Sequence, residues 1–122
     1  NGQFIAILWH QGETDAAKSS EDKLKGTYAE RVKSVAEGLR RGLGNENIPF
    51  IVGEIGRWRR GDGDHAAKIN PCINKVPQLI PLCACVSSEG LKNQDRHHFN
   101  REGQQKLAKR YYEAFQELTN EK

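Results

Sequence analysis

An α/β fold built on a parallel sheet is what this sequence predicts, and three observations predict it. Three short apolar runs, "QFIAILW", "NIPFIVGEI" and "PLCACVSS", are separated by stretches long enough to hold a helix. Each run passes abruptly into polar residues at its carboxyl end, as strands of a buried parallel sheet do. The stretches between and after them carry apolar residues at helical spacing. Strand, helix, strand, helix, strand, helix in that order, with crossovers of this length, implies parallel strands joined by right-handed connections. The expected architecture is a three-layer α/β/α sandwich.

The elements follow in chain order. Residues 3–9 form a continuous apolar run and predict a first strand buried on both faces. Over residues 22–43, Leu24, Tyr28, Val32, Val35, Ala36 and Leu39 recur every three or four positions. That spacing predicts an amphipathic helix, closed by Gly42 and Gly44. Residues 47–55 read as a second buried strand, followed by the polar loop "GRWRRGDGDH". Residues 66–76 predict a helix that Pro71 kinks or delays, since proline removes an interior hydrogen bond, with Pro77 and Pro81 ending it. "PLCACVSS" is the third strand and "LKNQDRHHFN" a loop. Asn100 can cap a last helix running to about residue 118, with Leu107, Tyr111, Ala114, Phe115 and Leu118 on its inner face.

With 122 residues the chain is one domain at most, yet long enough to bury a core. No apolar run is long enough to span a membrane, and no signal-peptide pattern opens the chain. The net charge of +3 is scattered rather than gathered into a basic block. Neither nucleic acid nor membrane is therefore an expected partner. Cys72, Cys83 and Cys85 make an odd count; Cys83 and Cys85 fall on one face of a strand, which is poor geometry for a bridge. All three read as reduced, the last two as small core residues. The sequence contains no methionine and opens almost directly into a strand. The expectation is the carboxy-terminal part of something longer, with one edge of a thin sheet absent.

Ligands of open α/β sheets lie beyond the carboxyl ends of the strands. "WHQGETD" occupies that place after the first strand, "GRWRRGDGDH" after the second, and "DRHHFN" a short way past the third. Asp95 and His98 stand three residues apart, a spacing that turns both side chains to one side of a loop. A carboxylate there can orient an imidazole acting as general base. Glu13 and Asp15 also read as acids at the start of a helix, where the backbone dipole favours them. In the second loop Trp58 offers an apolar ring face and Arg57 a fork for a carboxylate, as substrate-binding candidates; a solvated basic loop with Trp58 folded onto the core is the alternative.

"WHQGETDA" together with "DRHHFNREGQQKLAKRYYEAF" resembles the sialate O-acetylesterase-like carbohydrate esterases, within the SGNH/GDSL-type serine hydrolases. The resemblance covers nearly the whole chain. It implies the three-layer sandwich of that superfamily and a serine, histidine and acid mechanism acting on acetylated sugars, with no cofactor. Carried over residue by residue, His98 matches the catalytic base and Asp95 the acid beside it. Glu13 competes with Asp95 for that role. Gln11 matches the polar position of the oxyanion hole, and Gly12 allows close backbone approach there. The family's Gly-Gln-Ser-type nucleophile block has no counterpart among Ser19, Ser20, Ser34, Ser87 and Ser88. The implied partner is thus an amino-terminal segment of the same domain that supplies the serine, and the chain alone is expected to be inactive. Two other readings stand beside this one. One is a metal-dependent hydrolase using His10, Glu13, Asp95, His97 and His98; the other is a non-catalytic carbohydrate-binding relative. Compartment and oligomeric state have no signature in the sequence.

Overall fold

The computed structural model describes residues 1–120 and contains three strands, five α-helices and a short 3-10 turn. In order these are β1 (Ile7–Trp9), α1 (Glu13–Lys18), α2 (Glu21–Gly42), β2 (Phe50–Gly53), the turn Gly61–Gly63, α3 (His65–Ile73), α4 (Val76–Leu79), β3 (Cys83–Val86) and α5 (Arg101–Thr119). The strands form one parallel sheet in the order β1-β2-β3. Ile7 stands opposite Phe50 and Trp9 opposite Val52; on the other side Phe50 stands opposite Cys83 and Gly53 opposite Val86.

Alternation along β2 divides the core. Phe50 and Val52 join Leu24, Tyr28, Val32 and Ala36 of α2 and Ile69, Cys72 and Ile73 of α3 in the larger cluster. Ile51 joins Val86 and Tyr111 in the smaller one, against Leu107, Ala114, Phe115 and Leu118 of α5. Successive strand side chains point to opposite faces, so a fully buried β2 must be covered on both. The three cysteines are free thiols. Cys72 is buried in the larger cluster and Cys83 and Cys85 pack against it; burial pushes the thiols of Cys83 and Cys85 up to about 11 and about 12.

Four expectations need correction. The first strand is shorter than the apolar run: residues 3–6 are not strand, and Phe4, Ile5 and Leu8 are 65%, 59% and 61% exposed. β1 has β2 on one side and, among the described residues, no strand on the other; of its two faces, the Ile7 and Trp9 face packs on the larger cluster and the Leu8 face is exposed. On α2 the apolar stripe is narrower than its spacing suggests, because Val35 and Leu39 are exposed. α3 begins at His65, capped by Asp64, whose carboxylate accepts from the Ala67 N–H at 3.0 Å; Pro71 lies inside this helix. Pro77 opens rather than ends a helix, standing in the first turn of α4, where its missing N–H costs nothing.

Arg40, which sequence alone would place in solvent, is 4% exposed. Its guanidinium donates to the carbonyls of Ile48 at 3.0 Å, Pro81 at 2.8 Å and Leu82 at 3.2 Å, the residues leading into β2 and β3. Gly53 is required for another reason. The Tyr111 hydroxyl donates to the Trp9 carbonyl at 2.8 Å, passing so close that a Cβ on Gly53 would lie 2.2 Å from its oxygen.

Candidate active site

The parallel sheet brings the loops after β1, β2 and β3 to one end of the molecule, and the polar residues gather there. The loop between β3 and α5 is a local construction. Asn93 and Phe99 form an antiparallel bridge, and the Gln94 N–H donates to the His98 carbonyl at 2.9 Å. Asp95 stands at its tip. Its carboxylate accepts from the backbone N–H groups of His97 at 2.9 Å and His98 at 2.8 Å. Nδ1 of the His98 ring lies 2.9 Å from both Asp95 oxygens. An ionised carboxylate is an acceptor only, so Nδ1 carries the proton in this pair. Nε2 of His98 is then the atom left to take a proton from elsewhere.

The two backbone N–H groups and the imidazole hold Asp95 well below its ordinary 3.8, at about 2, in the order His97 N–H first and the His98 ring next. A depressed carboxyl pKa supports the loop above the ordinary value and ceases to do so as pH falls through the folded one. The side-chain carboxyl ¹³C resonance of Asp95 should therefore show its own titration below the ordinary 3.8, toward about 2. An Asp95 midpoint at or above 3.8 would mean that these bonds do not favour the ionised carboxylate.

His98 opens into a cleft of about 580 Å³ lined by His10, Glu13, Thr14, Ala17, Lys18, His97 and His98. Glu13, first residue of α1, thus shares the cleft with His98, while Asp95 holds the ring directly. His10 is anchored through Nε2, 3.0 Å from the Glu54 carbonyl. Gly12 has φ 153°, a backbone few other residues adopt, and a Cβ there would meet Ile69 at 3.1 Å. It lets the chain turn into α1 flat against α3.

Gln11 is placed apart from this cleft. Its amide nitrogen donates to Asp15 at 2.6 Å, and its side-chain and backbone oxygens accept from the Tyr28 hydroxyl at 3.1 and 2.9 Å. It lines a groove of about 290 Å³ with Trp9, Asp15 and Tyr28. Its amide has a second N–H beyond the one given to Asp15. The loop after β2 is committed as well. Arg57 forks onto Glu54, and the Trp58 indole N–H donates to the Arg96 carbonyl at 2.9 Å.

Glu54 is the residue that sequence reasoning missed. It ends the second apolar run, is 4% exposed, and its Oε1 accepts from Arg57 and from the Ser88 N–H at 2.9 Å while Oε2 accepts from Asn74 at 2.6 Å. Burial alone would raise its pKa; the Ser88 N–H, Asn74 and Arg57 outweigh burial and lower it. A charged residue closing a buried strand was the available signal, but its partners lie 3, 20 and 34 positions away.

Each serine has a place. Ser88 is fully buried and donates to the Ile55 carbonyl at 2.8 Å; Ser87 accepts from the Glu89 N–H; Ser20 caps α2. Ser34 stands on α2 and Ser19 follows α1. Among the described residues no group of three His, Cys, Asp or Glu is disposed to hold a metal ion, and no helix is long and apolar enough to cross a membrane.

Comparison with known proteins supports one family. A model of carbohydrate esterases, the sialic acid-specific acetylesterases, matches residues 1–117. No curated protein matches the chain. A protein from Arabidopsis thaliana solved by X-ray diffraction is similar with a TM-score of 0.77 at 23% identity, over 95% of this chain and 45% of that one. The chain thus spans about half the length of that structure, and the likeness is one of fold. With the family model covering nearly every residue, the chain belongs to the sialic acid-specific acetylesterase family of carbohydrate esterases.

Proposed function

We propose that this chain carries the base, its acid partner and an oxyanion donor of an SGNH-type serine esterase that removes acetyl groups from sugars. The nucleophilic serine comes from a segment outside these residues. The observation that supports this most is the Asp95–His98 pair, with Nδ1 held at 2.9 Å and the ring opening into a cleft at the sheet's carboxyl end. The reading needs a hydroxyl at Nε2, and none of the five serines of this chain lines that cleft: Ser20, Ser87 and Ser88 are hydrogen-bonded elsewhere, Ser34 stands on α2, and Ser19 follows α1. In the reading, the chain is a single incomplete domain of a three-layer sandwich. A further strand adds to the open edge of β1, covering Phe4, Ile5 and Leu8.

The chemistry then runs in two balanced steps. Nε2 of His98 takes the serine proton as the serine oxygen attacks the acetyl carbonyl. The tetrahedral oxyanion collapses, and His98 returns the proton to the departing sugar hydroxyl. Water, deprotonated by the same nitrogen, attacks the acetyl-enzyme and releases acetate, with the proton going back to serine. Asp95 steadies the imidazolium in both steps, with Glu13 the other acid of the cleft. Gln11 reaches the oxyanion with its unused N–H, beside the Gly12 backbone, by turning from the groove that it lines in this structure. Arg57 and Trp58 touch the sugar with the faces their present partners leave open.

Fluorophosphonate labelling tests the central claim. The 122-residue chain should not label, and a segment carrying the family's serine block, fused or added as a separate chain, should make labelling stoichiometric. Labelling of Ser19, Ser20, Ser87 or Ser88 in the chain by itself would overturn the reading. Within the restored enzyme, Gln11→Ala should lower kcat by about 10²- to 10³-fold with KM nearly unchanged, the usual loss for one oxyanion donor. A change confined to KM would make Gln11 a substrate contact instead.

A further inference from the structure

Asp95 and His98 are 49% and 69% exposed along their side chains, and the bonds that shape their loop run within residues 92–100. Exposed ion pairs of this kind contribute little to holding a loop in place. What ties the loop's tip to the rest of the molecule comes from the loop after β2. The Trp58 N–H donates to the Arg96 carbonyl at 2.9 Å. The edge of its ring meets Phe99, with centroids 5.1 Å apart and planes at 88°. Arg96 and Phe99 bracket the His97–His98 pair in the chain. Phe99 is 6% exposed and also packs on His10 at 5.5 Å, whose ring is bonded to the Glu54 carbonyl. The indole can lie there because residue 56 is glycine: a Cβ would come 2.1 Å from the Trp58 ring.

The geometry points to Trp58 as a positioning residue that fixes the loop bearing Asp95 and His98 against the end of the sheet, with Gly56 as the residue that admits it. Trp58 acts through the Arg96 carbonyl and Phe99, and it touches no reacting atom in this role. That the loop bears a catalytic base rests on the esterase reading; that Trp58 holds it does not. The two can therefore fail separately.

The test is backbone ¹⁵N relaxation on the 122-residue chain, comparing wild type, Trp58→Phe and Gly56→Ala. Order parameters of His97 and His98 should be near about 0.85 in wild type and fall below about 0.6 in Gly56→Ala. Trp58→Phe keeps an aromatic edge on Phe99 but lacks the N–H, and should give values between these. Ile51 in β2 and Val32 in α2 should not change. The proposal is overturned if His97 and His98 keep wild-type values in both variants. It is equally overturned if Ile51 and Val32 loosen along with them, which would make Trp58 a general stabiliser. If the loop responds as stated while fluorophosphonate labelling is never restored, the positioning role stands and the esterase reading falls.

Discussion

Replacing His98 by alanine is expected to lower acetylesterase turnover, in a protein that includes the serine segment, by about 10³- to 10⁴-fold or more. General base catalysis by a positioned imidazole accounts for roughly 10²- to 10⁴-fold, and members of a triad act as a unit, so losing the base also idles the nucleophile. The fall should appear in kcat and kcat/KM together, with substrate binding little affected. Asp95→Asn should approach the same loss, because an asparagine can turn its amide donor toward Nδ1 and favour the wrong tautomer. Glu13→Gln, which alters an acid of the cleft without touching the 2.9 Å contacts on Nδ1, should cost much less. Turnover measured on an aryl acetate separates these cases. Near-normal activity of His98→Ala would sink the assignment, and a larger loss from Glu13→Gln than from Asp95→Asn would exchange the two acids.

The second large effect is on stability. Glu54→Ala removes a carboxylate that is 4% exposed and leaves the Ser88 N–H, the Asn74 amide and Arg57 without their acceptor. Breaking a buried pair costs about 3–5 kcal/mol; Arg57 is 43% exposed along its side chain, which brings the expectation toward about 3 kcal/mol. Glu54→Gln is the sharper variant. Both carboxylate oxygens accept, one from Arg57 and Ser88 and the other from Asn74. A glutamine must present its NH₂ to one of these donors and lose that side. The pKa of Glu54 is lowered from its ordinary 4.5, so its contribution is full above that value and fades as pH falls through the lower, folded one. Urea denaturation of wild type and variant at neutral pH and below about pH 4 should show the difference shrinking with acid. A difference that grows with acid would mean that Glu54 is protonated in the folded state.

How much of this could be read from sequence follows from how local each feature is. The long helix α2, and α5 with its Asn100 cap, were legible because periodicity and capping act within a few residues. The Asp95–His98 contact was legible for the same reason, a three-residue spacing on a turn. The extent of β1 was not. An apolar run looks the same whether one face is covered or two, and only the sheet order places β1 at the edge. Pro71 misled because a first-turn signal at Asp64 overrode the proline as a guide to where α3 begins. Glu54 and Trp58 were unreadable in their present roles. Apart from Arg57, three residues from Glu54, the partners that fix these roles lie tens of residues off, at Asn74, Ser88 and Arg96, and nothing near 54 or 58 encodes those meetings.

The hydrogen bond from Tyr111 to the Trp9 carbonyl joins residues 102 positions apart, and its consequence is one of timing. Closing so long a stretch of chain costs entropy that only later contacts repay, which places such pairings late in folding. α5 can reach the bare backbone of Gly53 only after β1 and β2 have found their register. The loop with Asp95 and His98 lies between β3 and α5, so its far end is free until α5 docks. During synthesis, then, the base should acquire its fixed position only when the last helix has left the ribosome, even though the β1–β2 pair could form well before. Chains halted at successive lengths, with Trp58 replaced by phenylalanine so that fluorescence follows Trp9 alone, would show a single late step once residue 111 has cleared the ribosome if this is so; a gradual change beginning before residue 100 has cleared it would show that the first strand settles without it.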